Sequence, residues 1–311
     1  MRADLAECMA LLPDWLGLDA ATRSQLPALL ATLVDEPSVI SAVIEDLALP
    51  PGARVVSWAV GMCLRPALVA ELGLDAAPAP FIARSVYRAL LDGRYEPMTE
   101  RELGLANAAA DIRLAVLHFE MQVNDFSDPL MQSLMIMGTE SFRSCCAGYN
   151  THAIYQENRA LKEPYMLATG FQRRPHAGTP LAAQPGECPQ YYRVTRAEAI
   201  ATAPGNTVRH IFEHHPPLFR LSASQRRLLW LSLFDDNDGT LVQRLGVSMH
   251  GLKKLWRGIY ERVQDQQAGF FGDAAGDDEG KRGPEKRRQV LAYVRQRPEE
   301  LRPWATGCPA P

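Results

Sequence analysis

The sequence lacks long apolar runs and a regular cysteine pattern. No stretch of about 18 apolar residues occurs, so we expect no membrane-spanning helix. The six cysteines are irregularly spaced, unlike the disulfide framework of a small secreted protein. Asp4 and Glu7 interrupt the start of the chain, which therefore does not have the pattern of a secretory leader. We expect a cytoplasmic protein.

The common catalytic and nucleotide-binding motifs are also missing. The sequence has no Gly-x-Ser-x-Gly elbow, no Gly-x-x-x-x-Gly-Lys-Ser/Thr loop and no Gly-x-Gly-x-x-Gly turn. His210 and His214 are four residues apart with Glu213 between them, but this offset differs from that of a zinc-protease helix. We interpret these side chains as polar surface. We expect no catalytic residue, no cofactor and no metal site.

Composition fits a globular chain in which charge is unevenly distributed. The 311 residues predict about two domains, and 47% hydrophobic residues suffice for a core. The net charge of −3 divides into −7 over 1–217, +3 over 218–268, −4 over 269–280 and +5 over 281–311. An acidic body with a basic C-terminal region suits a protein that binds a polyanion, although a solvated helical face explains the charge equally well.

Apolar spacing predicts mixed secondary structure in the first two thirds of the chain. We predict helices over 28–34, 38–47 with Ser38 as N-cap, 80–93, from Thr99 with Glu102 in a capping box, and 128–154. We predict strands over 54–64, 113–121 (with helix as the alternative) and 190–194, and a helix that turns into a strand over 165–171. This mixture defines an α+β fold, in which a mixed N-terminal domain precedes a small all-α domain.

Loop-forming residues place the domain boundaries. Residues 175–190 are rich in Pro and Gly, and Pro216 and Pro217 precede a new periodic segment. We predict a sensory or assembly domain over 1–200 and a helical domain over 218–268. Residues 269–311 form a linker and a basic tail, in which 284–301 has the pattern of one helix.

Part of the first domain resembles the N-acetyltransferase superfamily. The resembling residues lie between Phe142 and Phe171 and include Gly148-Tyr-Asn150 and Tyr165-Met-Leu-Ala-Thr-Gly-Phe171. The resemblance implies the last part of that scaffold, a helix that delivers a Tyr and then a Gly-Phe before a strand. That family holds the pyrophosphate of coenzyme A on a glycine-rich turn at a helix start. The spacing of Arg143 to Gly148 does not match this turn.

The segment 218–264 predicts three short helices. Ser222 and Gln225 form a capping box at the first, the second covers about 239–245, Gly246 makes the turn and Ser248 caps the third. The third helix presents one apolar face and one basic face, which carry Leu252, Leu255, Ile259 and Val263, and Lys253, Lys254, Arg257 and Arg262, respectively. Two helices joined by a short glycine turn, the second basic, are typical of a helix-turn-helix.

This segment resembles the LuxR-type helix-turn-helix domain. The matching residues are Leu221-Ser222, Gln225, Leu228-Leu229, Leu241, Leu245-Gly-Val-Ser248, Leu252-Lys253 and Ile259-Tyr260. The last domain of RNA polymerase sigma factors has a similar pattern. The sequence departs from the family at Val242, at Gly251, where Thr is usual, and at the bulky Trp256. The resemblance implies that the third helix enters the DNA major groove.

Together these observations predict a transcriptional regulator that binds double-stranded DNA. The candidate DNA-binding residues are Ser248, His250, Gly251, Lys253, Lys254 and Arg257. We expect a homodimer, contact with RNA polymerase and a small-molecule effector for the first domain. Two alternatives are an acyltransferase-like enzyme with a helical appendage and a protein-interaction module that has lost DNA contact.

Overall fold

The computed structural model describes residues 4–178, 188–234, 237–272 and 279–305, with the backbone alone over 279–282. One six-stranded sheet lies in the first two thirds, and the regular structure described beyond 218 is helical. The predicted α+β class is confirmed, with the strands confined to the N-terminal part of the chain.

The sheet is mixed, with the order β1-β2-β3-β4-β6-β5. Its strands are β1 (Val39–Glu45), β2 (Val55–Cys63), β3 (Ile112–Met121), β4 (Thr151–Asn158), β5 (Gln172–Arg174) and β6 (Gln190–Thr195). Only the β3–β4 pair is parallel. Parallel neighbours need a crossover connection, and a long helix between these strands provides it.

Helices cover both faces of the sheet. They are α1 (Leu5–Ala10), α2 (Ala20–Leu33), α3 (Pro66–Glu71), α4 (Ile82–Leu91), α5 (Glu100–Ala108), α6 (Pro129–Cys146), α7 (Glu163–Ala168), α8 (Arg196–Ala201) and α9 (Thr207–Phe212), with 3₁₀ turns at Asp14–Leu16 and Ala160–Lys162. Helices α1 to α4 bury their apolar residues on one face, around Trp58. Helices α5 to α9 pack on the opposite face, where α9 buries Ile211 and Phe212. The apolar core of the sheet therefore extends beyond the predicted boundary at residue 200.

Several local predictions are confirmed. The predicted strands at 54–64, 113–121 and 190–194 correspond to β2, β3 and β6. The capping box is present, since Thr99 Oγ1 accepts from the Glu102 amide at 3.3 Å and the Glu102 carboxylate accepts from the Thr99 amide at 2.8 Å. A helix followed by a strand occurs at α7 and β5. The local sequence predicts these elements because the residues that make up each sequence pattern also form the hydrogen bonds and packing contacts of the element.

Two predicted helices are wrong in whole or in part. Residues 38–47 form β1 rather than a helix, because the β-branched Val39, Ile40, Val43 and Ile44 pair with β2. The helix predicted over 128–154 ends at Cys146 and gives way to β4. Gly148 lies between them with φ +83°, a left-handed conformation that breaks the helical path.

The C-terminal part of the chain forms one helical region. It contains α10 (Ala223–Ser232), α11 (Asp238–Leu245), α12 (Met249–Gln266) and α13 (Glu279–Gln296), followed by a 3₁₀ turn at Pro298–Leu301. Val290, Leu291 and Val294 of α13 belong to the same buried cluster as Leu228 and Ile259. The prediction of a linker up to 284 is therefore wrong from Glu279 onward, and α13 is part of the core rather than a tail. The rest of that linker (273–278), residues 306–311 and the loop 179–187 lie outside the described residues.

Candidate functional site

Caps and a glycine turn position the third helix of the C-terminal region. Ser222 caps α10 in a capping box with Gln225, and Gly246 ends α11 with φ +65°. Ser248 caps α12, its Oγ accepting from the Gly251 amide at 3.1 Å. These features are where the sequence predicts them, because each depends on contacts within about four residues.

Helix α12 has one buried and one exposed face. Leu252, Trp256, Ile259 and Val263 are buried, whereas Leu255 is only partly so. Trp256 therefore does not crowd the exposed face; its ring packs inward, with the Arg287 guanidinium 4.8 Å from the ring centroid. At 100° per residue, position 256 falls on the same side as 252 and 259.

The exposed face of α12 is basic. His250, Lys254 and Arg257 lie on one line along the helix, at spacings of four and three residues, and Lys253 lies beside them. All four side chains are exposed. Within the described ranges, none of them forms an ion pair or hydrogen bond with another part of the chain. The described part of the chain therefore does not neutralise the positive charges of Lys253, Lys254 and Arg257.

Ser248 and Gly251 have a different place from the four basic residues. They form the cap that begins α12, so their first role is to orient the helix. A Cβ at position 251 would lie 3.4 Å from Val247 Cβ, an ordinary contact. Packing therefore does not require glycine there, and nothing in the structure explains why Gly251 differs from the pattern that the sequence resembles.

The sheet region contains a second candidate site, a cavity that is partly open to solvent. It lies between the sheet face formed by β1 to β4 and the helices α6, α7 and α9, and its volume is about 60 Å³. Four small residues, Ala42, Ser57, Ala59 and Gly61, form part of its floor, beside larger apolar side chains such as that of Leu114. Ala59 is only partly buried although the rest of β2 is buried, which locates free space above it.

The cavity lining is uncharged. No Asp, Glu, Lys, Arg or His side chain is among the described residues that line it. The Gln156 side chain, on β4, is 6% exposed and makes no hydrogen bond within the described part of the chain. The sequence already offers Phe119, Phe142 and Tyr165 as aromatics that can line a ligand cavity, with core packing as the alternative interpretation. It gives no signal for the small residues, because β1 and β2 come together only in the sheet.

Arg302 joins the sheet region to the helical region. Its guanidinium donates from Nε to the Ala147 carbonyl and from Nη2 to the Ser144 carbonyl, each at 2.8 Å, at the C-terminal end of α6. It also lies over the rings of Tyr149 (4.7 Å) and Trp230 (5.6 Å). A cation suits this position because the last carbonyls of a helix carry partial negative charge. No motif in the sequence indicated this role for Arg302.

Neighbouring contacts reinforce this junction. The Glu300 carboxylate accepts from the amides of Leu218 (2.7 Å) and Phe219 (3.0 Å), and the Asn107 amide group donates to the Pro303 carbonyl at 2.8 Å. Gly148 lies so close to the 3₁₀ turn that a Cβ there would be 2.4 Å from the Glu299 amide nitrogen. The end of α6 and the residues after α13 therefore pack directly against each other.

The two ends of α6 are unsuited to a phosphate group. The segment from Arg143 to Gly148, considered above as a phosphate-binding turn, lies at the C-terminal end of α6 and presents carbonyls. At the other end, the Asp128 carboxylate already accepts from the Leu130 amide at 2.8 Å, and Pro129 has no amide hydrogen. A carboxylate at a helix start opposes a second anion.

Strands β3 and β4 separate beyond the pair Val116–Gln156, and Lys162 occupies this point. Its ammonium donates to the Phe119 carbonyl at 3.0 Å and to Glu120 Oε1 at 2.7 Å, and both charged side chains are buried. Burial lowers the pKa of Lys162. The free backbone of β3 at this position is thus bound by a side chain of the protein.

Other sequence features do not converge on a site. His210 contacts Glu213, whereas His214 stacks on Trp304 with the ring centroids 5.7 Å apart. Within the described ranges, no group of three or more His, Cys, Asp or Glu side chains is arranged to hold a metal ion. In the same ranges, no helix combines the length and the apolar character that crossing a membrane requires.

Comparison of the chain with protein-family models, curated protein sequences and solved structures gives no match.

Proposed function

We propose that this chain is a cytoplasmic transcriptional regulator that binds double-stranded DNA through α12. The observation that best supports this proposal is that His250, Lys254 and Arg257 form an exposed line along α12, with Lys253 beside it. The turn at Gly246 and the cap at Ser248 connect α12 to α11. The described residues leave these four basic side chains without partners, and a DNA backbone supplies the opposite charge.

In this proposal the sheet region senses an effector or mediates assembly. A single helix-turn-helix covers one half-site, so we propose that two copies of the chain bind DNA as a symmetric pair, with RNA polymerase as a further partner. The observation that favours a sensing role is the cavity beside α6, whose C-terminal end contacts Arg302 at the junction of the two regions. An occupant of the cavity would touch the helix that meets the DNA-binding region.

Three observations disfavour the acyltransferase alternative. The start of α6 carries a carboxylate and a proline, Lys162 occupies the gap between β3 and β4, and the cavity lining is uncharged. The pyrophosphate of coenzyme A needs amide hydrogens or cations, and these places offer neither in free form. The interaction-module alternative is decided by the experiment below.

The test is DNA binding by the double variant Lys253→Ala/Lys254→Ala. Removing two phosphate-contacting cations should weaken binding to every fragment by at least tenfold and reduce the slope of log K against log salt by about 1.8. Genomic fragments selected by the parent protein provide the ligand, and fluorescence anisotropy provides the affinity, the salt slope and the number of chains per site.

The matched control is Arg101→Ala/Arg295→Ala, which removes two exposed positive charges far from α12 in sequence. It should bind like the parent. Equal loss in both double variants would show that only overall charge matters. Parent protein that selects no DNA would favour the interaction module.

A further inference from the structure

The cavity contains a polar group whose bonding is incomplete. Gln156 is 6% exposed and forms no hydrogen bond within the described residues. The Gln156 amide is not among the fully buried polar groups that lack a partner, so its atoms face accessible space, where water or a ligand can pair with them. The Gln156 amide can both donate and accept, and it lines the same space that Ala59 leaves open.

The lining defines the chemistry of an occupant. The cavity has no charged side chain, and Phe119, Phe142, Tyr165 and Phe171 provide aromatic contact. An ionised ligand would lose its hydration without gaining an opposite charge, whereas an apolar ligand gains from burial. A neutral molecule with one hydrogen-bonding group satisfies both the apolar walls and Gln156.

The shape restricts the occupant further. A volume of about 60 Å³, spread between a sheet face and three helices, is a narrow slot. A cavity of about 150 Å³ binds benzene, so this slot has room for a few water molecules or for one organic molecule of about four non-hydrogen atoms. Ile40 and Cys145 also line a cleft of about 600 Å³ between the sheet region and α10, so the slot adjoins the surface that faces the DNA-binding region.

We infer that this slot is a binding site for a slim, uncharged, mostly apolar molecule with a single carbonyl, amide or hydroxyl group, which pairs with the Gln156 side chain. This molecule is the effector of the proposed regulator, so its regulatory role rests on the proposed function. The binding event itself is independent of DNA.

The experiment is calorimetric titration of the full chain at pH 8 with two- and three-carbon probes. The neutral probes are acetamide, 1-propanol and acetone, and the charged probes are acetate and ethylammonium. We expect saturable binding of at least one neutral probe, and at least tenfold weaker binding of both charged probes.

Two variants locate the binding. Gln156→Leu removes the amide at similar size and should weaken the neutral probe at least tenfold, and Ala59→Leu fills the slot and should abolish binding. Gln122→Leu, an exposed glutamine on the chain just after β3, is the matched control and should bind like the parent. Circular dichroism shows whether each variant is folded. If Ala59→Leu is unfolded, the affinity of Gln156→Leu for the neutral probe is the test of the inference.

The inference is overturned if no neutral probe binds, if a charged probe binds as tightly as the neutral ones, or if Gln156→Leu binds like the parent. DNA titrations of the same preparations separate this result from the proposed function. DNA binding without probe binding rejects only the cavity site, and probe binding without DNA binding rejects only the DNA-binding role.

Discussion

The sheet region and the helical region differ in what lies at the centre of each. The helical region fills its core with side chains such as Leu228, Ile259 and Val294, and the basic residues of α12 are exposed, whereas its buried charges, Glu300 and Arg302, lie at the junction with the sheet region. The sheet region leaves a cavity and buries polar groups, including the Lys162–Glu120 pair and His118. A closely packed apolar core favours one rigid shape for presenting a charged face. A cavity with a polar group inside favours response to a ligand or to pH.

The largest effect should come from the helical core, at Val294 of α13. This side chain is 1% exposed, and Val294→Asp buries an unpaired carboxylate. We expect a loss of about 4 kcal/mol in the free energy of unfolding, measured by urea denaturation. The matched control is Ala292→Asp, which adds the same charge at an exposed position two residues earlier and should cost less than about 1 kcal/mol. Equal effects would mean that the helical core ends near residue 268, as the sequence predicts.

The next effect should come from the junction between the two regions. Arg302→Ala leaves the Ser144 and Ala147 carbonyls without their donors and removes a cation from two aromatic rings. We expect a loss of about 3 kcal/mol. We also expect the helical region to exchange its amide hydrogens faster than the sheet, since the contact that couples them is gone.

Arg295→Ala, which removes an exposed arginine of α13, is the control for this experiment and should leave exchange unchanged in both regions. If Arg302→Ala exchanges like the parent in both regions, Arg302 does not couple them.

The smallest effect should be a pH dependence that arises in the sheet region. Burial, with a smaller contribution from Lys162, lowers the pKa of His118 from 6.5 to about 3. Between these values the unfolded chain binds a proton that the folded chain does not, so the free energy of unfolding falls as the pH decreases. The expected loss is about 2 kcal/mol between pH 6.5 and pH 5.

His118→Leu should flatten this slope, and His210→Leu, at an exposed position, should retain it. The lowered pKa of His214 (about 4) gives a slope of the same sign, and the raised pKa of Glu157 opposes it. The contributions of His214 and Glu157 are present in the parent and in both variants. The difference in slope between His118→Leu and the parent is therefore the contribution of His118. Equal slopes in His118→Leu and the parent would contradict the prediction.

The sequence by itself determined the elements whose causes are local. The capping boxes at Thr99 and Ser222, the turn at Gly246 and the cap at Ser248 involve residues within about four positions of each other, so the spacing predicts them. The strands β2, β3 and β6 are recognisable because they are short segments rich in β-branched and aromatic residues, although the sequence leaves helix open for β3. The basic face of α12 follows from helical periodicity alone.

Only the tertiary structure decided the features that combine distant residues. Residues 39–45 satisfy a helical pattern, yet pairing with β2 makes them a strand, because backbone hydrogen bonds between strands depend on a neighbour. The cavity needs small residues of β1 and β2 side by side, and the junction needs Arg302 beside a helix that ends some 155 residues earlier in the chain. Such contacts carry no periodic signal, since what each residue touches is set by how the whole chain packs.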